Sequence, residues 1–567
     1  MADTALRKRG SLKKSAALDT KEGKGTKEGD RATDQANGEF LLKPFRPWIN
    51  EVKERWEPVP GLNQGVVTNF SADEDRKAAI KSAFLHAWLA YERDAMGDDE
   101  YHPIGHTGSN LTDAGGIGYT VVDSLDTIVI MGLTEEYARA RDWVAERLTF
   151  DVDGSVSTFE TTIRVLGGLL SVYHLTDDEM YLEKAKDLAD RILPAFDTPA
   201  GLPLTLINLA QRKGIPDPDN RGLVSTAEVS TIQLEFKYLS WLTDDDVYWE
   251  KAEQVMARIK RAHISSGLAS IFMSPNDGRY ALSAIRLGSR GDSYYEYLLK
   301  QYIQTNGSEG VYRLMYDDAM TGVSKHLIGK TANKHLTYTN ELIPSRTHGG
   351  DMSDHLACFL GGSLMLGAVT TGAVDQHVSV PPRLDELSLQ GRRDWRNGYE
   401  LIETCMRTHE TKTGLSPEIA HFVMPTDPYV EGFAPGDWYI KGAKDHEDKE
   451  TSPYDARYIL RPETIESLFL AYRLTGDERY REYGWAIFQA IERHCRIPTG
   501  GYASVLDVDR LPVKHEDKME TFLMSETLKY LYLLFDDASV LPLDKYVFNT
   551  EAHPFPIFNP TRRTGFS

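Results

Sequence analysis

In "YILRPETIESLFLAYRLTGDERY", residues 458 to 480, Glu463 and Glu466 stand one turn apart at the start of a helix. Pro462 fits the first turn, and Ile465, Leu468, Phe469 and Tyr472 follow at helical spacing. One such pair needs no more than the preference of acids for a helix N-terminus. The pattern recurs, however. "STFETTIRVLGGLL" places Glu160 and Arg164 four apart on one helix face, and "RLGSRGDSYYEYLLKQ" sets Arg290, Asp292 and Glu296 at the head of an aromatic helix. "GGDMSDHLACFLGG" holds Asp354 and His355, "KMETFLMSETLKYLYLLF" carries Glu520, Phe522 and Glu526, and "VVDSLDTIVIMGL" buries Asp123 and Asp126 in an apolar run. Each acid alone suits a cap or a salt bridge, but charges beside so much apolar sequence need partners. If the helix ends converge, they line a pocket with carboxylates and guanidiniums. Such a pocket suits glycoside hydrolysis, calcium binding or a structural charge network.

The elements that must bring these ends together are helical hairpins. "HLTDDEMYLEKA" from His174, "WLTDDDVYWEKA" from Trp241 and "RLTGDERYREYG" from Arg473 share Leu-Thr, an acidic turn, then Tyr and a helix, each after an apolar-periodic helix. The repeat predicts an all-α fold of stacked or ringed hairpins in one large domain, with few and short strands. Residues 1–39 mix both charge signs without aromatics, which predicts a solvated, disordered tail. A lead-in segment over 40–74, a helical domain over 75–557 and a C-terminal tail over 558–567 complete the expected organisation.

Composition narrows the function classes. The chain has 567 residues, 41% hydrophobic, with 64 Lys plus Arg against 85 Asp plus Glu and a net charge of −21. That balance disfavours nucleic acid as a partner and suits an acidic globular enzyme. No apolar run is long enough for a membrane span, and neither a signal peptide nor an anchor is visible. GxSxG and GxxxxGK[ST] patterns are absent, which removes serine-hydrolase and P-loop readings. Three acceptor sequons begin at Asn69, Asn110 and Asn306. Cys358, Cys405 and Cys495 form no zinc pattern; they read as three buried thiols, or as at most one bridge and one free thiol.

The blocks "AFLHAWLAYERDAMGDDE", "VVDSLDTIVIMGL", "FETTIRVLGGLLSVYHL", "LGSRGDSYYEYLLKQY", "HLACFLGG", "GLSPE", "LRPETIESLFLAYRLTGD", "ETLKYLYLLF" and "VFNTEAHP", in this order, resemble the class I α-1,2-mannosidases of glycoside hydrolase family 47, endoplasmic reticulum type, over roughly residues 75 to 557. The resemblance implies an (α/α)7 barrel, an inverting exo-α-1,2-mannosidase acting on high-mannose N-glycans of glycoproteins, chiefly Man9GlcNAc2 to Man8GlcNAc2, and a bound Ca²⁺ at the barrel floor. A mannose-binding quality-control lectin on the same barrel is the alternative, and another (α/α) barrel glycosidase a second.

Carried onto these positions, Glu160 matches the proposed general acid, Glu463 the general base and Asp292 a third catalytic carboxylate. Thr550 matches the calcium ligand, with Asp123, Glu296, Glu466, Glu526 and Glu551 ordering waters around it. Arg164, His355, Leu356, Arg461, Phe522 and Glu526 match the mannose subsite; a hydrogen-bonded structural histidine is the alternative at His355. Arg290, Glu228, Asp354 and Glu418 fall on the leaving-sugar side, and Glu466 orients sugar or water. The resemblance also implies a Cys358–Cys405 disulfide with Cys495 free. A monomer in the endoplasmic reticulum lumen or early secretory pathway is expected, with a cytosolic location as the alternative.

Overall fold

The computed structural model describes residues 70–566 apart from 263–264, 345–351, 376, 426, 428–435 and 443–451. The tail expected over 1–39, most of the lead-in and the sequon at Asn69 therefore lie outside the described residues. Those described belong to one compact unit.

Among the described residues, seven helices are buried on nearly every side and form the interior. They are α2 (Tyr119–Ile130), α4 (Gly167–Thr176), α6 (Gln233–Thr243), α8 (Asp292–Gln304), α10 (Phe359–Val369), α12 (Glu463–Thr475) and α14 (Leu528–Phe535). Every residue of α12 is buried. Seven others alternate with them along the chain: α1 (Glu74–Ala95), α3 (Thr134–Glu146), α5 (Glu179–Ile192), α7 (Asp246–Ala262), α9 (Gly310–His326), α11 (Leu389–Thr408) and α13 (Glu478–His494). These are amphipathic, as in α5, which buries Tyr181, Ala185, Leu188, Ala189 and Ile192 on one stripe. Each inner helix packs on the next, α2 on α4 and so on through α14, and the turn entering α14 returns to α2. The ring is closed. Seven inner helices inside seven outer ones give the (α/α)7 arrangement.

The repeated motif explains each inner-to-outer reversal. Thr176, Thr243 and Thr475 donate their hydroxyls to the carbonyls of Val172, Leu239 and Ala471 at the inner helix end. The next residue, Asp177, Asp244 or Gly476, takes a left-handed φ of 55°, 55° or 67° and ends the helix. The acid after it caps the outer helix: Asp178, Asp245 and Asp477 accept from the backbone N–H of Met180, Val247 and Arg479. Tyr181, Tyr248 and Tyr480 then anchor the outer helix in the core.

Strands are short, as expected, but more numerous than the sequence suggested, because the inner-helix entrances are braced by ribbons of two or three strands. The C-terminal ribbon, Tyr546–Phe548 paired with Pro554–Pro556, packs on α8 and α4. Residues 559–566 do not dangle: Thr564 donates to Glu309, and the Gly565 N–H to Glu253. Cys358 and Cys405 are bridged, 47 residues apart in sequence, and Cys495 is a buried free thiol. A loop of that length stabilises the fold by about 4 kcal/mol on the chain-entropy model. The reading of three buried thiols is thereby set aside.

Candidate active site

Most of the acids singled out by sequence sit at or just inside the entrances of inner helices, with Asp123 and Asp126 deeper in α2. Ser157 ends the ribbon strand Ser155–Ser157 and accepts from the Glu160 N–H at 3.2 Å, while Ser225 does the same for the Glu228 N–H at 3.3 Å. "VSTFE" and "VSTAE" are thus two copies of one device, a strand that turns into a helix with the third helical residue a glutamate. Asp292 opens α8 and accepts from the Ser293 N–H at 2.8 Å. Burial, with repulsion from Glu296, pushes its carboxyl up to about 7.

One cluster joins α12 to the segment before α10. Strand Met352–Asp354 pairs with Ile419–Phe422, and the His355 N–H donates to the Glu418 carbonyl, so strand pairing fixes His355 and Glu418 together. Arg461 grips Glu418 with two bonds, Nε to Oε2 at 2.8 Å and Nη2 to Oε1 at 2.5 Å. Glu463 lies 3.0 Å from His355 Nδ1 and 3.5 Å from Arg461 Nη1. A carboxylate only accepts, so His355 Nδ1 donates to Glu463, while Nε2 lies 3.2 Å from the Thr464 hydroxyl. Burial disfavours the Glu463 charge, but Arg461 and His355 outweigh it and hold the carboxyl below its usual range. His355 is both a structural histidine and a partner of Glu463.

A second cluster surrounds Arg164. Its Nε donates to Glu160 Oε2 at 2.9 Å, and its Nη1 to Glu551 at 2.6 Å and to Thr521 at 3.1 Å, with Asp123 at 3.6 Å. The guanidinium carbons of Arg164 and Arg461 lie 5.6 and 5.7 Å from the Phe522 ring, which joins the two clusters.

The floor is the turn 549–553 of the C-terminal ribbon. Asn549 organises it: Nδ2 donates to Glu235 and the Ile163 carbonyl, and Oδ1 accepts from the Glu551 and His553 N–H groups. Thr550 Oγ1 donates to Glu296 at 2.9 Å, and Lys300 links Glu296 to Glu466. Burial and the neighbouring acids raise Glu466 to about 8 despite Lys300. Burial and Glu551 raise Glu526 as well. Beneath them His553 bridges Asp123 and Asp126, and Lys529 holds Asp126 at 2.8 Å.

On another side Arg290, with φ +73°, reaches Glu228 at 3.7 Å and lies 5.1 Å from the Phe272 ring. Asp354 accepts from the Ser289 N–H at 3.0 Å, on the same loop as Arg290. Leu356 is half-buried in the turn His355–Cys358.

Sequence reasoning missed Lys300, Lys529, Asn549, His553 and Tyr119. Lys300 was signalled by its place four after Glu296, and Asn549 and His553 by "FNTEAHP". Also unforeseen are the π-helical segments Thr161–Leu166 and Leu523–Thr527, which carry Arg164 and Glu526. A widened turn of this kind re-aims a side chain without ending the helix. Composition does not betray it.

A family model described as glycosyl hydrolase family 47 matches residues 83–557. The chain is 44% identical over 500 residues to a mannosyl-oligosaccharide 1,2-alpha-mannosidase of Candida albicans, covering 86% of this chain and 84% of that protein. It is 43% identical to an endoplasmic reticulum mannosyl-oligosaccharide 1,2-alpha-mannosidase of Schizosaccharomyces pombe, covering 86% and 91%. Among solved structures, an alpha-1,2-mannosidase from Trichoderma reesei superposes with a TM-score of 0.74 at 28% identity, over 86% of this chain and 100% of that one.

Proposed function

The chain belongs to glycosyl hydrolase family 47, and on that premise we propose that it is an inverting exo-α-1,2-mannosidase that trims high-mannose N-glycans on glycoproteins. The observation that carries the reading is the contrast among acids at the helix entrances. Arg461 and His355 hold the Glu463 carboxyl below its usual range, as a base requires, whereas burial and repulsion from Glu296 raise Asp292, and Glu160 is paired with Arg164. In this reading Glu463 takes a proton from the water that attacks the anomeric carbon. The glycosidic C–O bond breaks as the leaving oxygen gains a proton from the side of Glu160, and configuration inverts. Arg164, Arg461, His355, Leu356, Phe522, Glu466 and Glu526 line the mannose subsite, and Arg290, Glu228, Asp354 and Glu418 the leaving-sugar side.

Calcium fits the donors of the floor, which are oxygens in an acidic surround. Glu296, Glu466, Glu526 and Glu551 gather about the turn that presents Thr550, with Lys300 and Arg164 as the nearby cations. Among the described residues no three His, Cys, Asp or Glu side chains form a metal cage. A site held directly by Thr550, with waters ordered by those acids, suits a cation that takes six to eight oxygens. Bound there, Ca²⁺ would fix sugar hydroxyls.

The relatives' names and the disulfide support the endoplasmic reticulum lumen or early secretory pathway. No described helix is long and apolar enough to cross a membrane.

The test is digestion of Man9GlcNAc2. Loss of chiefly one mannose is expected, giving the Man8 isomer trimmed on the middle arm, with activity lost in chelator and restored by Ca²⁺. Arg290→Leu should slow this step and let trimming run on toward Man5, because a guanidinium clamps several hydroxyls of one arm and Leu cannot. If the variant only loses rate and keeps the single-mannose product, Arg290 serves Glu228 and not specificity. Activity unchanged in excess chelator would count against the metal.

A further inference from the structure

Tyr119 opens α2, and its whole backbone setting is fixed. Gly118 precedes it at φ +72°, where an added Cβ would lie 2.9 Å from Leu148 and Trp143 side-chain atoms. Its N–H donates at 3.0 Å to buried Asp99, which also accepts from the Ile117 and Leu111 N–H groups. Held this way, the side chain is almost fully buried, with its ring 5.4 Å from the Arg164 guanidinium carbon. The phenol oxygen lies 3.3 Å from Glu160 Oε2, the same oxygen that accepts from Arg164 Nε. The phenol stays protonated, because burial disfavours the phenolate more than Arg164 helps it, and Glu160, Glu551 and Asp123 repel it.

We propose that Tyr119 is a positioning residue for Glu160, donating its hydroxyl to Oε2 and holding the Arg164 guanidinium against its ring, so that carboxylate and guanidinium act as one preset unit. This rests on the reading of Glu160 as the proton donor. Two donors on one oxygen fix the rotamer of Glu160 and favour its charged form. Among the described residues, the charged groups around Glu160 are Arg164 on its own element, Glu551 from the floor, Asp123 on α2 beside Arg164, and Glu228 on the turn packed against residues 158–160. Among the described residues, Arg164 is the cation that bonds this carboxylate. The phenol is therefore the second device that keeps Glu160 ready to lose and regain a proton.

The experiment compares pH profiles of kcat for wild type, Tyr119→Phe and Glu160→Gln, with Tm and KM measured alongside. Phe keeps the ring against Arg164 and removes only the hydroxyl. The expected result is a Tm within about 2 °C of wild type, KM within about twofold and kcat lower by about 3- to 10-fold. The alkaline limb should move upward by roughly half to one pH unit, since Glu160 holds its proton longer without the donor. Tyr119→Leu should show the same shift together with a lower Tm, because the ring is lost as well. Profiles of Tyr119→Phe and wild type that superimpose, with Glu160→Gln inactive, would overturn the role of Tyr119 alone. A Glu160→Gln enzyme of near wild-type activity would overturn both it and the reading of Glu160.

Discussion

Glu463→Gln is expected to lower kcat about 10²- to 10⁴-fold, the range that a positioned base contributes, with little change in Tm or in sugar binding. Glutamine keeps the shape of the side chain and an oxygen that accepts from His355 Nδ1. Arg461 keeps its bidentate grip on Glu418, so no buried guanidinium is left without a carboxylate. What is lost is the ability to take a proton from water. Measured at neutral pH, where Arg461 and His355 hold wild-type Glu463 ionised, the whole effect should fall on kcat. Near wild-type turnover would remove Glu463 from the base role. An equal loss of Tm and kcat would make it a structural residue.

Arg164→Met carries the largest expected cost in stability, about 3–5 kcal/mol, because one buried guanidinium serves Glu160, Glu551 and Asp123 and its removal takes a shared cation from three buried carboxyls. Activity should fall with it, since Glu160 loses its strongest partner. The pH dependence separates charge from packing. Arg164 is one of the groups that hold the carboxyls of Glu160 and Asp123 down, so without it burial acts on them less opposed and their folded-state pKa values rise. Such groups support the fold at low pH and lose that support as pH rises through the raised values. The gap between variant and wild type, read by urea unfolding, should therefore widen from pH 5 to pH 8. An equal gap at both would show that the lost volume matters and the lost charge does not.

How far the sequence went depends on what kind of information it holds. The reversals between inner and outer helices were readable because each rests on local chemistry: Thr176, Asp177, Asp178 and Tyr181 do four separate jobs in six residues, and the same order recurs at Thr243 and Thr475. Ring closure was not local. It arises where the turn entering α14 meets α2, some 400 residues earlier, and only the family resemblance implied it. The acids at helix entrances were legible as chemistry, because charge beside apolar sequence demands a partner. Which partner each took was not. Arg461 pairs with Glu418 through a strand register, Arg164 reaches Glu551 from a π-helical turn, and Lys300 emerges between Glu296 and Glu466 from a helix that reads as apolar and aromatic. The turn 549–553 shows the same limit. "FNTEAHP" marks a special loop, but that the Asn549 side chain makes four hydrogen bonds which aim Thr550 at Glu296 is a property of packed helices, not of seven letters.

We propose that these entrances form an inverting site, with water activated by Glu463 on the face opposite the leaving sugar. Proton NMR of an α-1,2-linked mannoside during the first minutes of digestion tests it most directly, before the released sugar equilibrates. β-Mannose should give the first anomeric signal, with the α signal growing in later. α-Mannose appearing first would contradict it, because retention requires a carboxylate to attack the sugar and leaves Glu463 no water to activate.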